Sequence, residues 1–554
     1  MADASAASRR FWIVLAALVA LALLLRGLAL ERCGLDHYDE GVYAWSASSI
    51  ATPDQFPTLY PGQEKFSPPV YFGAAGVLAR LFGCEVPLAL FALNAVLGAA
   101  SVALLGLVAR RWFGAPAGLA AAALLACNEY HIALSRTALT DVGFALVHLG
   151  AWFALIEALR AERLGRVLFA GALVGLAWNV KYHGWLAVVA AALAYVPIGV
   201  ARAVARENWR RPLALGVAAA LTAALGYLPW ALHVQAQPGG YAALAQYQST
   251  MLRGGWFENL ARQGSQQLFF EGPLSAASVP LALACALSVV GSARRTTWVL
   301  AAALGLGALG VLVGGVAGYA LLALGALPWL VGQALRREWP ALALLSGLAL
   351  WSVLTPFYHP YARLLLPLLL LALLAAACAL GRWAESDAQA PSGRASLAAW
   401  LAAALAALTA FGAQFRDDPS DPWRASCGVE QAASELAATL PQGARVFVLG
   451  DPSLAWYLVR GGLADTQGVS GPECMERLER DARETFVVCG YYPRLNGAEQ
   501  RLVEAAGEKL ALHARAPVEV KDVRLLDDHP TFRAARLLRE ASDGYEVRLY
   551  RYQP

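Results

Sequence analysis

The sequence predicts a polytopic α-helical membrane protein of about thirteen transmembrane helices, residues 1–414, with a small C-terminal α/β extra-membrane domain, residues 415–554. Composition is the first reason. Of the 554 residues 58% are apolar and 15% are charged, whereas a soluble domain carries about 25% charged residues. The second reason is the distribution of the apolar residues. Long apolar blocks fill residues 1–414, whereas residues 415–554 have the composition of an ordinary soluble domain. The net charge of +4 gives no indication of nucleic-acid binding.

The apolar blocks are long enough to be membrane spans, since a transmembrane helix requires roughly 20 residues. The first block follows Arg9 and Arg10, is too long for a signal-peptide core and precedes no small-residue cleavage site, so an uncleaved helix is expected. The fifth and sixth are short and meet at residues 181–184. The predicted spans are 11–30, 87–109, 114–133, 138–158, 166–180, 184–200, 212–234, 273–291, 296–314, 317–335, 340–357, 361–381 and 395–412.

Basic residues beside the spans predict their orientation, because cytoplasmic loops are enriched in Arg and Lys. With the N-terminus in the cytoplasm, 17 Arg residues fall in the inner segments and eight basic residues in the outer ones. An odd number of spans then places residues 415–554 on the extracytoplasmic side.

Acidic residues occur at two predicted outer positions beside the membrane. Asp39 and Glu40 lie in the first outer loop, residues 31–86, and Asp141 lies in the first turn of the fourth span. Carboxylates this close to a bilayer are costly unless they have a function. Two structural explanations stay open: Asp39 as the N-cap of a helix over residues 40–50, and Asp141 as a favourable charge at a helix N-terminus. Because both fall on the outer side, both are candidate catalytic residues for acid–base chemistry or metal binding.

Basic side chains are predicted at the same level. Only four of the 44 basic residues are Lys, and two of these, Lys65 and Lys181, lie in outer loops against the membrane. Arg363 opens the twelfth span from outside. Such cations bind phosphates, although chance placement of the lysines and headgroup anchoring by Arg363 stay open. Acids and cations at one surface suit a phosphate leaving group and an acceptor deprotonated by a carboxylate.

Four short motifs follow one another along the outer side. They are Asp39-Glu40, then Glu64-Lys65 before Pro68-Pro69 and aromatic residues, then Arg136 to Asp141, and finally Tyr361 to Pro367 around Arg363. In order, side and spacing they resemble integral-membrane glycosyltransferases of the GT-C fold, in particular the lipid A aminoarabinose transferases and the protein O-mannosyltransferases. The resemblance spans most of residues 10–415.

The resemblance implies transfer of a sugar, with inversion, from a polyprenyl-phosphate carrier to a lipid, glycan or protein acceptor on the outer face of a bacterial plasma (inner) membrane. Asp39 resembles the catalytic carboxylate and Asp141 the second acidic residue. Lys65 resembles the lysine that contacts the carrier phosphate, with Glu64 beside it, and Arg363 is assigned a further phosphate contact. The other predicted substrate-binding residues are Glu40, Arg136, Lys181, His183 and Tyr361.

The sequence departs from these families in two places. Phe66-Ser67 separates Lys65 from the proline pair, where the aminoarabinose transferases have no insertion, and this alters the reach expected of Lys65. The Trp-Trp-Asp signature of oligosaccharyltransferases is absent, which disfavours en bloc transfer of a glycan to asparagine. Metal use varies across the fold. The acidic residues could hold a divalent cation, but no histidine cluster demands one, so no metal ligand is predicted.

Alternating helices and strands in the C-terminal domain predict a small α/β sheet. Helices are predicted at 428–440, 453–460, 472–482 and 497–511, strands at 444–450 and 484–490, and an edge strand at 545–552. We expect Asp451 to cap a helix, with a ligand crevice at the strand end as the alternative, and we expect the domain to bind the acceptor or a partner. Cys427, Cys474 and Cys489 permit one disulfide if this side is oxidising.

Two other functions stay open. A transporter or flippase for a lipid-linked sugar would place charges near mid-membrane and often contain inverted repeats, whereas these charges fall at the outer ends and no internal repeat is visible. A catalytically inactive scaffold is the second alternative, and the joint presence of Asp39, Lys65 and Asp141 argues against it.

Overall fold

The chain divides into two compact units in a computed structural model. The membrane unit contains Met1–Leu28, Ala95–Ser135 and Thr140–Pro422, and the loop–sheet unit contains Ala29–Asn94, Arg136–Leu139 and Trp423–Pro554. The structure describes residues 2–56, 67–252, 254–271, 273–290, 318–388, 428–441, 443–480, 484–490, 493, 497–518 and 546–553. The first predicted outer loop therefore belongs to one compact unit with the C-terminal residues, and the predicted boundary at residues 414/415 lies outside the described residues.

Helices dominate the described chain. In order they are α1 (Ala2–Gly27), α2 (Tyr38–Ala51), α3 (Val70–Phe82), α4 (Val86–Phe113), α5 (Ala115–Ala126), α6 (Glu129–Leu134), α7 (Asp141–Ala161), α8 (Leu164–Val180), α9 (Leu186–Val204), α10 (Arg210–Ala236), α11 (Gly240–Ser249), α12 (Trp256–Phe270), α13 (Pro273–Leu287), α14 (Gly318–Leu335), α15 (Trp339–Leu354), α16 (Leu366–Ala388), α17 (Gly428–Thr439), α18 (Pro452–Arg460), α19 (Gly471–Arg480) and α20 (Ala498–Ala506). Short 3-10 turns at Leu30–Arg32, Tyr182–Trp185 and Ala362–Leu365 join several of them.

The helices confirm a polytopic membrane protein. Within the described residues, seven are long and apolar enough to cross a membrane, and five shorter apolar helices accompany them. Leu213, Val217, Leu221 and Leu225 are exposed at intervals of four residues along α10, as expected of a helix face in contact with lipid. Ten of the thirteen predicted spans each coincide with one helix, and those at 296–314 and 395–412 lie outside the described residues.

The third predicted span, 114–133, is wrong as one continuous helix. α5 ends at Ala126, and Asn128 then caps the separate helix α6 by accepting a hydrogen bond from the His131 backbone N–H at 2.8 Å. Asparagine is a strong N-cap and starts a new helix instead of continuing the old one. α5 is buried on all sides and packs against α1, α13 and α16, because its alanines allow close approach of neighbouring helices.

The loop–sheet unit contains the predicted α/β sheet. Its strands are β1 (Arg445–Leu449), β2 (Thr466–Val469), β3 (Thr485–Cys489), β4 (Leu510–Pro517) and β5 (Glu546–Tyr552), in the order β2-β1-β3-β5-β4. β1 is parallel to β2 and β3, and β5 is antiparallel to β3 and β4. The prediction of β5 as an edge strand is wrong, because β4 pairs with its outer side. β4 was not predicted because its Leu, Ala and Arg residues favour helix.

Two of the three C-terminal cysteines that permit a disulfide lie within the described residues. Cys474 and Cys489 are buried free thiols in the hydrophobic core beneath the sheet. Cys427 lies outside the described residues. Of the disulfides that the three cysteines permit, the one between Cys474 and Cys489 is absent.

Asp451 follows β1 and caps α18, as predicted. Its Oδ1 accepts a hydrogen bond from the Leu454 N–H at 3.1 Å. Burial raises the pKa of the Asp451 carboxyl from 3.8 to about 7, although the N–H groups of Leu454 and Ser453 act in the opposite direction. Gly490 ends β3 beside it, and a Cβ at Gly490 would lie 2.2 Å from Asp451 Oδ2. The carboxyl group is thus enclosed on that side by the neighbouring strand.

We expect the Asp451 carboxyl to make unfolding of the protein pH-dependent. Because the folded pKa is raised, its contribution to stability is complete below about pH 4 and is lost as the pH rises to about 7. Asp451→Asn keeps a capping oxygen and removes this titration, so above about pH 7 it gains up to about 4 kcal/mol over the wild type. Apparent melting temperatures in detergent at about pH 5 and pH 8 measure the effect. Equal pH dependence in both proteins would contradict it.

Candidate active-site residues

Two predicted site residues, Asp141 and Lys181, form an ion pair in the membrane unit. Lys181 Nζ lies 2.5 Å from Asp141 Oδ1, and the two side chains are 20% and 4% exposed. Asp141 begins α7, and Lys181 lies between the end of α8 and the turn at Tyr182–Trp185. Asp141 Oδ2 is buried and has no hydrogen-bond partner among the described residues. The pair therefore retains one carboxylate oxygen able to accept a further hydrogen bond.

His183 follows Lys181 in the same turn and packs into an aromatic cluster. Its ring centroid lies 4.4 Å from that of Phe144 and 5.8 Å from that of Trp351. His148 packs 5.2 Å from each of the same two rings. Packing in this cluster holds the His183 ring in place. Since His183 is two residues from Lys181, which pairs with Asp141, these three predicted site residues form one group.

Tyr361 and Arg363 form a second group in the membrane unit. The Arg363 guanidinium lies 4.9 Å from the centre of the Tyr361 ring, and Arg363 is 8% exposed. This geometry is a cation–π contact. The preceding residues are bound to α11 and the turn after it, since the His359 N–H donates to Met251 O at 2.7 Å and the Tyr358 hydroxyl to Gln248 Oε1 at 2.6 Å. These bonds hold the backbone from which Arg363 projects.

In the loop–sheet unit, His37 and Glu40 form a capping box at the start of α2. His37 Nδ1 accepts from the Asp39 N–H at 3.0 Å. Glu40 Oε2 accepts from the N–H groups of Asp36 and His37, and Oε1 accepts from the Ala138 N–H, each at 2.8 Å. The alternative that Asp39 caps this helix is wrong, because His37 occupies the N-cap. Asp39 lies in the first turn, where the helix dipole favours a carboxylate.

Arg136 is buried at the entry to the first outer loop. Its guanidinium donates to Ala29 O at 3.4 Å and to Cys33 Sγ at 3.6 Å. Asn94 Nδ2 donates to the carbonyl oxygens of Thr137 and Leu139 at 2.6 and 2.7 Å. Residues 136–139 are therefore bound to the first loop through Cys33 and the Glu40 carboxylate, and to α4 through Asn94.

Two predicted residues, Glu64 and Lys65, lie outside the described residues. Within the described ranges, no three His, Cys, Asp or Glu side chains are grouped as metal ligands.

One buried polar cluster of the membrane unit was not predicted. Arg26 is fully buried, and its guanidinium contacts Leu125 O at 2.9 Å and His131 Nδ1 at 3.0 Å. Nearby in the chain, Asn128 Nδ2 donates to both carboxylate oxygens of Glu271, at 2.8 and 3.0 Å. The sequence signal for this cluster was Arg26, a single Arg in the otherwise apolar first block. Ionisable groups at membrane depth are rarely without a role.

Comparison with known proteins gives a family match and a fold. The model of the family Dolichyl-phosphate-mannose-protein mannosyltransferase matches residues 67–230, a range that includes Asp141 and Lys181. No curated protein matches the chain. The oligosaccharyltransferase of Archaeoglobus fulgidus in its apo form is 13% identical, with 91% of this chain and 73% of that chain covered and a TM-score of 0.55. The chain has the GT-C fold.

Two further structures with the GT-C fold match. AglB, the oligosaccharyltransferase from Archaeoglobus fulgidus, in complex with an inhibitory peptide and a dolichol-phosphate, is 14% identical, covers 91% of this chain and 73% of its own, and has a TM-score of 0.55. ArnT from Cupriavidus metallidurans bound to undecaprenyl phosphate is 18% identical, with coverages of 91% and 96% and a TM-score of 0.46. The GT-C resemblance expected from the motifs is confirmed at the level of the fold, and the roles of the site residues stay predictions.

Proposed function

We propose that the protein is a membrane glycosyltransferase that moves a sugar from a polyprenyl-phosphate donor to a lipid, glycan or protein acceptor on the extracytoplasmic face, with inversion. The observation that carries the proposal is the buried Asp141–Lys181 pair with its open carboxylate oxygen. The pair lies within the residues that match the mannosyltransferase family. A lipid-phosphate donor is supported by that family's description and by the dolichol-phosphate bound to AglB.

Asp39 is assigned the role of general base. It takes the proton from an acceptor hydroxyl or amine, whose electron pair attacks the anomeric carbon from the face opposite the phosphate. The bond between the anomeric carbon and the phosphate oxygen then breaks, and polyprenyl phosphate leaves with the electron pair. Attack from the opposite face inverts the configuration at the anomeric carbon.

The cations are assigned to the leaving phosphate. Lys65 and Arg363 hold it, and Lys181 acts as a further point charge whose position is set by Asp141. Preorganised cations favour the transition state because negative charge grows on the phosphate as the bond breaks. Glu40 accepts hydrogen bonds from the N–H groups of Asp36 and Ala138, and Arg136 donates to Ala29 O and Cys33 Sγ. Both are assigned positioning roles.

Incubation of the purified protein with a panel of polyprenyl-phosphate sugars tests the proposal. Release of free polyprenyl phosphate is measured for the wild type, for Asp39→Asn and for Asp54→Asn. Asp54 is an exposed carboxylate in a turn of the same loop and is the matched control. Release by the wild type and the control but not by Asp39→Asn supports the proposal and identifies the donor. Transport of lipid-linked sugar in vesicles without release from any donor and acceptor pair would refute it.

Arg363→Met is expected to raise the KM for the donor by about 10- to 100-fold. The substitution removes a charge-assisted hydrogen bond to phosphate, which contributes about 1.5–3 kcal/mol, while the apolar stem keeps its place against Tyr361. Initial rates across donor concentrations measure the effect. Arg262→Met is the control, because Arg262 is an outer-loop cation paired with Glu258. An unchanged KM in Arg363→Met would remove Arg363 from the phosphate site.

A further inference from the structure

The C-terminal domain binds the helix that carries Asp39. Within the loop–sheet unit, α2 packs against α18 along its length. Ser453 Oγ donates to the carbonyl oxygen of His37 at 2.9 Å, and Trp456 Nε1 donates to Ser48 Oγ at 2.9 Å. The first of these bonds is at the N-cap of α2 and the second is near its C-terminal end. α18 therefore fixes both ends of the helix.

The two backbones are in direct contact at Gly41. A Cβ at this position would lie 2.1 Å from Ser453 N and 2.5 Å from Pro452 C. These neighbours are main-chain atoms, which cannot rotate away as a flexible side chain can. Only glycine therefore lets α2 approach α18 this closely.

Aromatic stacking closes the other end of the contact. The rings of Phe56 and Trp456 are stacked at 5.7 Å with an interplanar angle of 17°, and Trp45 meets Phe56 edge-on at 5.4 Å. Phe56 follows α2 in the chain and is buried. Because aromatic pairs bury large areas and prefer defined geometries, this stacking fixes how the loop continues beyond α2.

The position of the contact on the sheet indicates its purpose. β1 lies between β2 and β3, and all three strands are parallel. In open α/β sheets, ligands bind at the carboxyl ends of the strands where the strand order reverses. Asp451, Pro452 and Ser453 follow the carboxyl end of β1 at that point, and α2 packs on them. In this protein, α2 of the first loop packs at the sheet edge where such a sheet ordinarily binds a ligand.

We propose that the C-terminal domain is a positioning domain for the first outer loop, with Ser453, Trp456 and Gly41 as positioning residues for Asp39. The link to activity rests on the proposed function, in which Asp39 is the base. A base acts only when it is held within hydrogen-bonding reach of the proton it removes. The domain supplies that fixed position without contributing a group to the reaction.

The test combines two substitutions with two matched controls. Gly41→Ala pushes α2 away from α18, and Ser453→Ala removes the hydrogen bond to His37. Gly73→Ala is the control for the first, because Gly73 is a helical glycine of the same loop where an added Cβ would meet nothing within 4 Å. Ser434→Ala is the control for the second, because Ser434 Oγ makes an exposed bond to the Glu430 carbonyl at 2.9 Å.

Two readouts separate docking from catalysis. Hydrogen exchange of the amides in residues 38–51 reports the docking of α2, whatever the reaction. We expect exchange there to speed up by about tenfold or more in Gly41→Ala and to stay unchanged in both controls. Per folded enzyme, kcat should fall by about 100-fold in Gly41→Ala, since a displacement of about 1 Å has effects of that size, and by up to about tenfold in Ser453→Ala. The KM for the donor should be unchanged.

The outcomes distinguish this proposal from the proposed function. Unchanged exchange in residues 38–51 of Gly41→Ala would overturn the docking role, and unchanged kcat despite faster exchange would overturn the positioning role. If the wild type transfers no sugar, the proposed function fails. Positioning of a catalytic base then fails with it, and the exchange data alone decide whether the domain holds the loop.

Discussion

Asp39→Asn is expected to lower kcat by about 100-fold or more while the protein stays folded. Loss of a group that acts in the transition state removes about 2.7–4 kcal/mol of stabilisation. Asn has nearly the same shape as Asp but cannot take a proton at neutral pH. The substitution leaves the cap of α2 in place, because the cap is built from His37 and Glu40. Release of polyprenyl phosphate at saturating donor measures the loss.

Stability and a second substitution complete this experiment. The apparent melting temperature of Asp39→Asn should stay close to that of the wild type, whereas Glu40→Gln should lower it. Three backbone N–H groups donate to the Glu40 carboxylate, and bonds to a charged acceptor are stronger than bonds to an amide. Full activity of a folded Asp39→Asn protein would exclude Asp39 as the base.

The membrane fold was predictable because its signal is strong and local. A run of about 20 apolar residues has few alternatives to a membrane helix, and α1, α4 and α10 appear where the hydropathy places them. The break after Ala126 was not predicted. The break depends on whether the Asn128 side chain caps a new helix by bonding to the His131 N–H or Asn128 continues the old helix. The apolar content of the sequence gives no information on which of the two occurs.

The contacts between distant residues were the least predictable part of the site. Asp39 and His37 are both able to cap α2, and only the backbone path into the helix decides in favour of His37. Asp141 and Lys181 were each selected as candidates, but their ion pair joins positions 40 residues apart. The docking of α2 on α18 links positions more than 400 apart. Its sequence signal is a single glycine, Gly41, in α2.

Lys181→Met is expected to lower the free energy of unfolding by about 3 kcal/mol or more and to abolish transfer. The substitution leaves the Asp141 carboxylate, which is 4% exposed, without its counter-charge. Breaking a buried pair on one side costs about 3–5 kcal/mol because the remaining charge is uncompensated. Thermal unfolding in detergent and the rate of polyprenyl phosphate release measure the two effects separately.

The double variant Asp141→Asn/Lys181→Met separates the structural from the catalytic part of this loss. Replacing both charges removes the uncompensated charge that destabilises the single variant, so melting closer to that of the wild type than in Lys181→Met is expected, with release still reduced by about 100-fold. Arg202→Met is the control, because the Arg202–Glu162 pair is more exposed, at 27% and 24%, and should change stability by at most about 1 kcal/mol. A double variant that is both stable and fully active would mean that the pair only supports the fold. A stable but inactive one would place the pair in the reaction, since no loss of structure would remain to explain the loss of rate.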